Sequence, residues 1–133
     1  MMRPRRLRSN PAIRRLVAES RVHPAALVLP VFVAEGLAQP RAITSMPGVY
    51  QQTLDTLPAV IEQAVSAGLG AVMLFGVPQH KDAIGSGATD PQGNLSLAVE
   101  VARTAAAGRL VVQADLCMDE FTDLGQCGVL SGV

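Results

Sequence analysis

Cys117, Asp119 and Cys127 are the residues of this chain best suited to chemistry. Thiolates and carboxylates are all zinc donors, and three protein ligands with a fourth position open is the catalytic zinc arrangement. The three follow an apolar, β-branched run over residues 110–114 that ends at Asp115. They therefore fall just past the end of a buried strand, where α/β proteins assemble their active sites. Spacing alone leaves alternatives open. Two cysteines ten residues apart also fit a pair of buried apolar side chains or a disulfide.

The other reactive residues point elsewhere. His23 and His80 lie far apart in loop-like segments, away from the cysteines, and read as surface histidines. Lys81 is the single lysine. A Schiff-base lysine needs a desolvated apolar pocket, whereas Lys81 stands between His80 and Asp82 in a polar stretch. Gly85-Ser86-Gly87 reads as a turn. Neither the dinucleotide nor the P-loop glycine fingerprint is present.

The elements that must position the ligands follow from periodicity. Asn10 and Pro11 form a cap and first position for a helix running to about Ser20. An apolar strand is predicted over 27–33, where Pro30 suggests an edge or an irregularity. Residues 36–48 read as loop with room for a small hairpin. A helix is expected from Thr53 or Asp55 to Ala67, with Leu57, Val60, Ile61, Ala64 and Val65 on one face and Pro58 in its first turn. A strand over 71–75, a long loop over 76–93, a helix over 95–107 capped by Asn94 and a strand over 110–114 complete the pattern.

Strands alternating with helices predict parallel βαβ units. Three strands do not close a barrel, and the long loops follow strands, as on the active face of a (β/α)8 barrel, a fold of ~250 residues. The expected architecture is α/β: the first three βα units of a TIM barrel, incomplete, preceded by an extended N-terminal arm. The division is 1–22 for the basic arm and short helix and 23–133 for the N-terminal portion of the barrel domain, which stops after the ligand loop.

Composition agrees. The 133 residues are 49% hydrophobic and 17% charged, enough for a packed core. Aromatics are few (Phe32, Phe75, Phe121 and Tyr50), so the core is built from aliphatic residues, as suits strands covered on both faces. Net charge is zero, yet residues 1–21 carry seven arginines against Glu19, a balance of +6. Such an arm fits a solvated segment, a transit peptide or docking on an acidic subunit surface; no aromatic interleaves these arginines, so no nucleic acid is expected. No apolar run reaches the ~18–20 residues of a membrane span and no secretory core is seen, giving no membrane and a cytoplasmic setting.

The ordered motifs give a family. Residues 3–8 (Arg-Pro-Arg-Arg-Leu-Arg), 29–36 (Leu-Pro-Val-Phe-Val-Ala-Glu-Gly), 45–50 (Ser-Met-Pro-Gly-Val-Tyr), 74–78 (Leu-Phe-Gly-Val-Pro), the Lys81-Asp82 and Gly85-Ser86 pairs, and 115–130 run along nearly all of the chain. Together they resemble the N-terminal part of the porphobilinogen synthase family, also called 5-aminolevulinate dehydratase.

The resemblance implies a (β/α)8 hydro-lyase that condenses two 5-aminolevulinate molecules into porphobilinogen in tetrapyrrole (haem) biosynthesis. It implies two Schiff-base lysines that are absent from this sequence, and a homo-octamer joined through the N-terminal arm. It also implies a metal loop. Zinc-dependent members carry three cysteines there; here Cys117 and Cys127 match the first and third, Asp119 replaces the second, and Leu124 and Gln126 stand where histidines are usual. Zinc on Cys117, Asp119 and Cys127 is the expected cofactor, with magnesium as an alternative at a site outside this chain. Asp115 is expected to face substrate or orient a bound group. The alternative function is a catalytically inactive remnant that binds metal or intact subunits.

Overall fold

The structure is a computed structural model and describes residues 5–129. Arg3 of the basic arm and Leu130 of the last motif lie outside the described residues. The sheet has five strands: β1 (Val28–Ala34), β2 (Arg41–Ala42), β3 (Tyr50–Gln52), β4 (Ala71–Val77) and β5 (Val111–Ala114). Their order is β2-β3-β1-β4-β5; β1 runs parallel to both β3 and β4, β4 runs parallel to β5, and only the β2–β3 pair is antiparallel. Helix α2 (Leu57–Ser66) leads from β3 into β4 and α3 (Asn94–Ala106) joins β4 to β5, while α1 (Pro11–Leu16) belongs to the arm.

One face of the sheet carries the core. Val31, Val33, Val72 and Leu74 point at α2 and α3, meeting Leu57, Ile61 and Ala64 from one helix and Ala98, Ala102 and Ala106 from the other. The opposite face bears Phe32 and Phe75, stacked with ring centroids 5.3 Å apart.

Several expectations are corrected. The three predicted strands are β1, β4 and β5, joined by two helical crossovers, and the β2–β3 hairpin adds two more strands beside β1, with β3 parallel to it. The hairpin is too short for a periodic signal. Pro30 does not mark an edge strand, since β1 lies between β3 and β4. Its odd-numbered residues bond toward β4, as in Glu35 N–H to Val77 C=O, so Pro30 turns its missing N–H to the other side, where β3 pairs only from Phe32 onward. Helix α1 has the expected Asn10 cap, whose Oδ1 accepts from Ile13 N–H, but ends at Leu16 rather than Ser20. None of its residues is buried, and a short helix without a packed face does not propagate. Asn94 opens α3 as a helical residue rather than its cap, and its Nδ2 donates instead to the Val33 carbonyl at 2.6 Å.

Candidate metal centre

The ligand loop leaves the sheet at β5. Asp115 N–H still donates to the Leu74 carbonyl at 3.0 Å, prolonging the β4–β5 pairing by one residue. By strand alternation from Val111 and Gln113, Asp115 points to the Phe32–Phe75 face, away from the helices. Beyond it Leu116 is fully exposed, and the chain curls through a turn in which the Phe121 and Thr122 N–H groups both donate to the Met118 carbonyl.

That curl brings the three sequence-predicted ligands together. The Sγ atoms of Cys117 and Cys127 and a carboxylate oxygen of Asp119 all lie within 4.8 Å of one another. The sulfurs are 2.9 Å apart and both cysteines are free. Cys117 and Asp119 are half-buried and Cys127 is exposed, so one side of the cluster faces solvent. Asp115 lies close enough for its charge to act on Glu120. His23 and His80 take no part; His23 caps a short 3-10 turn, its Nδ1 accepting from Ala25 N–H.

Two observations test whether these residues fit a metal. Asp119 Oδ1 is a buried oxygen with no hydrogen-bond partner, and such an atom is costly unless something positive or hydrogen-bonding faces it. The donor set of two sulfurs and one oxygen is soft, which suits zinc over magnesium. Thiolates on one tetrahedral zinc stand about 3.8 Å apart, given Zn–S bonds of ~2.3 Å; the sulfurs must part slightly, and exposed Cys127 is the side that can yield. The residues fit the group.

Electrostatics disfavour the Cys117 thiolate. Hydrogen bonding to Asp119 and to Cys127 pushes the Cys117 thiol up to about 11. Glu120 is pushed up to about 7 by burial and by the charges of Asp115 and Asp119, against the Gly76 N–H that it accepts at 3.1 Å.

Sequence reasoning missed Glu120, whose partner lies 44 positions earlier. It also read Lys81 only as a failed nucleophile. Its Nζ donates to the Asp119 carbonyl at 3.4 Å, which makes it a neighbour of the ligand loop rather than a reacting group.

Comparison with known proteins bears on the family and the fold. A family model described as delta-aminolevulinic acid dehydratase matches residues 1–133. The delta-aminolevulinic acid dehydratase of Streptomyces coelicolor is 53% identical over 132 residues, 98% of this chain and 40% of the relative. That of Mycobacterium tuberculosis strain H37Rv is 54% identical over 130 residues, 96% of this chain and 40% of the relative. A crystal structure of delta-aminolevulinic acid dehydratase (porphobilinogen synthase) from Toxoplasma gondii ME49, in complex with the reaction product porphobilinogen, superposes with a TM-score of 0.86 at 32% identity. That superposition covers 98% of this chain and 37% of the other. The chain thus spans about 40% of the length of the curated relatives it matches.

Proposed function

The chain belongs to the delta-aminolevulinic acid dehydratase family, and from that membership we propose that it supplies the metal end of a site condensing two 5-aminolevulinate molecules into porphobilinogen. The convergence of Cys117, Asp119 and Cys127 within 4.8 Å at the end of a parallel strand carries the reading. In the whole protein the sheet is the opening third of a (β/α)8 barrel, residues 1–22 are an arm docking on another copy, and the setting is cytoplasmic. The arm's arginines and the unburied face of α1 support that docking.

Zinc is the metal the donor set favours, and when bound it supplies Lewis-acid polarisation of a substrate carbonyl. This chain's residues do the rest. Cys117 and Cys127 would give up their protons to become ligands, and Asp119 would add a carboxylate oxygen. The open side of the cluster leaves room for substrate. Asp115, on the Phe32–Phe75 face, holds a carboxylate toward the barrel mouth, where it orients the substrate amine.

Lys81 offers no Schiff-base chemistry, because it is exposed and bonded to a backbone carbonyl. That observation favours the second reading, a catalytically inactive remnant that binds metal or intact subunits, for these 133 residues taken alone. Zinc content and porphobilinogen formation by the intact protein, in its native form and as Cys127→Ala, test the first reading. Loss of both zinc and turnover is expected; a variant that keeps full zinc and full activity removes Cys127 from the site. Porphobilinogen formed by the 133 residues alone would eliminate the remnant.

A further inference from the structure

The segments left without a role, Lys81–Asp82 and the Gly85-Ser86-Gly87 turn, both lie against the ligand loop. Phe121 is 2% exposed, and its ring fills space that Gly76 and Gly87 leave open, with Gly85 beside its neighbours Met118 and Thr122. A Cβ on Gly76 would stand 3.3 Å from Phe121 Cζ, and one on Gly87 3.1 Å from Phe121 Cδ1. A Cβ on Gly85 would press on Met118 Cε at 2.9 Å and on Thr122 Cγ2 at 3.2 Å.

The backbone is clipped at the same place. Asp82 N–H donates to the Phe121 carbonyl at 3.2 Å, and its carbonyl accepts from Asp123 N–H at 3.1 Å. Asp82's carboxylate is already taken by the N–H groups of Ile84 and Ser86, so it braces its own turn instead of joining the ligands. From the clip, contacts continue to the far ligand. Thr122 Oγ1 accepts from Gln126 N–H at 2.9 Å and donates to the Gln126 carbonyl at 2.8 Å, one residue before Cys127.

We infer that the glycine socket around Phe121, the Asp82 backbone clip and the Thr122–Gln126 link are positioning residues for the metal: they hold Asp119 and Cys127 opposite Cys117 before an ion arrives. This rests on the metal reading above. None of these groups touches the ion; they fix the geometry of groups that do. Loss of such support typically costs 10–100-fold in metal affinity.

Cobalt(II) alone is the probe, titrated into the intact protein, because its thiolate charge-transfer absorption reports ligand geometry as well as affinity. Gly87→Ala acts by steric contact with the Phe121 ring, and is expected to weaken cobalt binding about tenfold or more and shift the band. Adding Phe121→Leu to Gly87→Ala makes room again and is expected to recover most of the affinity. Thr122→Val, which keeps its shape and loses only the Gln126 link, should weaken binding similarly and serves if Gly87→Ala does not fold. Cys127→Ala separates the two levels of inference. If it weakens cobalt binding while Gly87→Ala and Thr122→Val leave affinity and band unchanged, the positioning role is wrong and the metal reading stands. If Cys127→Ala changes nothing, both fall.

Discussion

Glu120 shows how one side chain ties the ligand loop to the sheet. Its carboxylate accepts the Gly76 N–H at the end of β4 while burial raises it from the usual 4.5 to about 7. A carboxyl raised by folding keeps its proton in the native state after the unfolded chain has lost it. Between about pH 4.5 and 7 the native state therefore binds more protons, and stability falls as pH rises through that window. In metal-free protein, Glu120→Gln removes this dependence. Denaturant midpoints measured at pH 5 and pH 7.5 should differ less in the variant than in the native protein; an unchanged difference assigns the pH effect elsewhere. The ligand trio was legible in the sequence because its members lie within eleven residues and follow a strand. Glu120's bond to Gly76 and Lys81's bond to Asp119 were not, because each partner is brought in by tertiary folding from 38 or more positions away.

Among the elements, α3 meets the sheet through a row of fully buried alanines. Ala98, Ala102 and Ala106 recur at four-residue spacing with at most 1% exposure and share the core with Val72 and Leu74. Larger side chains there would lift the helix that ends just before β5 and thereby move the strand that delivers the ligands. Ala102→Leu is expected to destabilise the fold by about 1–3 kcal/mol, the usual cost of overpacking a filled core. Chemical denaturation checks it, and an unchanged midpoint would mean that the helix–sheet gap holds spare volume. The apolar stripe of α2 carries a strong periodic signal, and the span of α3 between Asn94 and Gly108 made it readable as well. Signals failed where no buried face exists. Helix α1 stops short of Ser20 because it has no buried residue to anchor it, and the β2–β3 hairpin is specified by pairing rather than by alternation. Asn94 deceived because a residue type suited to capping was used to reach the Val33 carbonyl across the core.

At the scale of the whole molecule, helices among the described residues cover one side of the sheet. Helices α2 and α3 bury Val31, Val33, Val72 and Leu74, whereas the other face presents Phe32, Met73 and Phe75 half-buried, with Val28 47% and Val111 57% exposed at its margins. Among the described residues β5 pairs only with β4, so its outer edge carries free backbone donors and acceptors. In a closed barrel that face is the filled interior and that edge meets the next strand. The match to 37% of the Toxoplasma gondii chain is the scale at which such covering would be supplied by further strands. A contiguous apolar face beside an open strand edge drives association in water. The 133 residues produced alone should therefore self-associate and bind a hydrophobic dye, with sedimentation showing a broad distribution. Val111→Lys places a charge on the open edge and should raise the monomer fraction without changing the far-ultraviolet circular dichroism. A monodisperse monomer of the native 133 residues that melts cooperatively would contradict this, and would mean that the Phe32–Phe75 face is stable in water without the rest of a barrel.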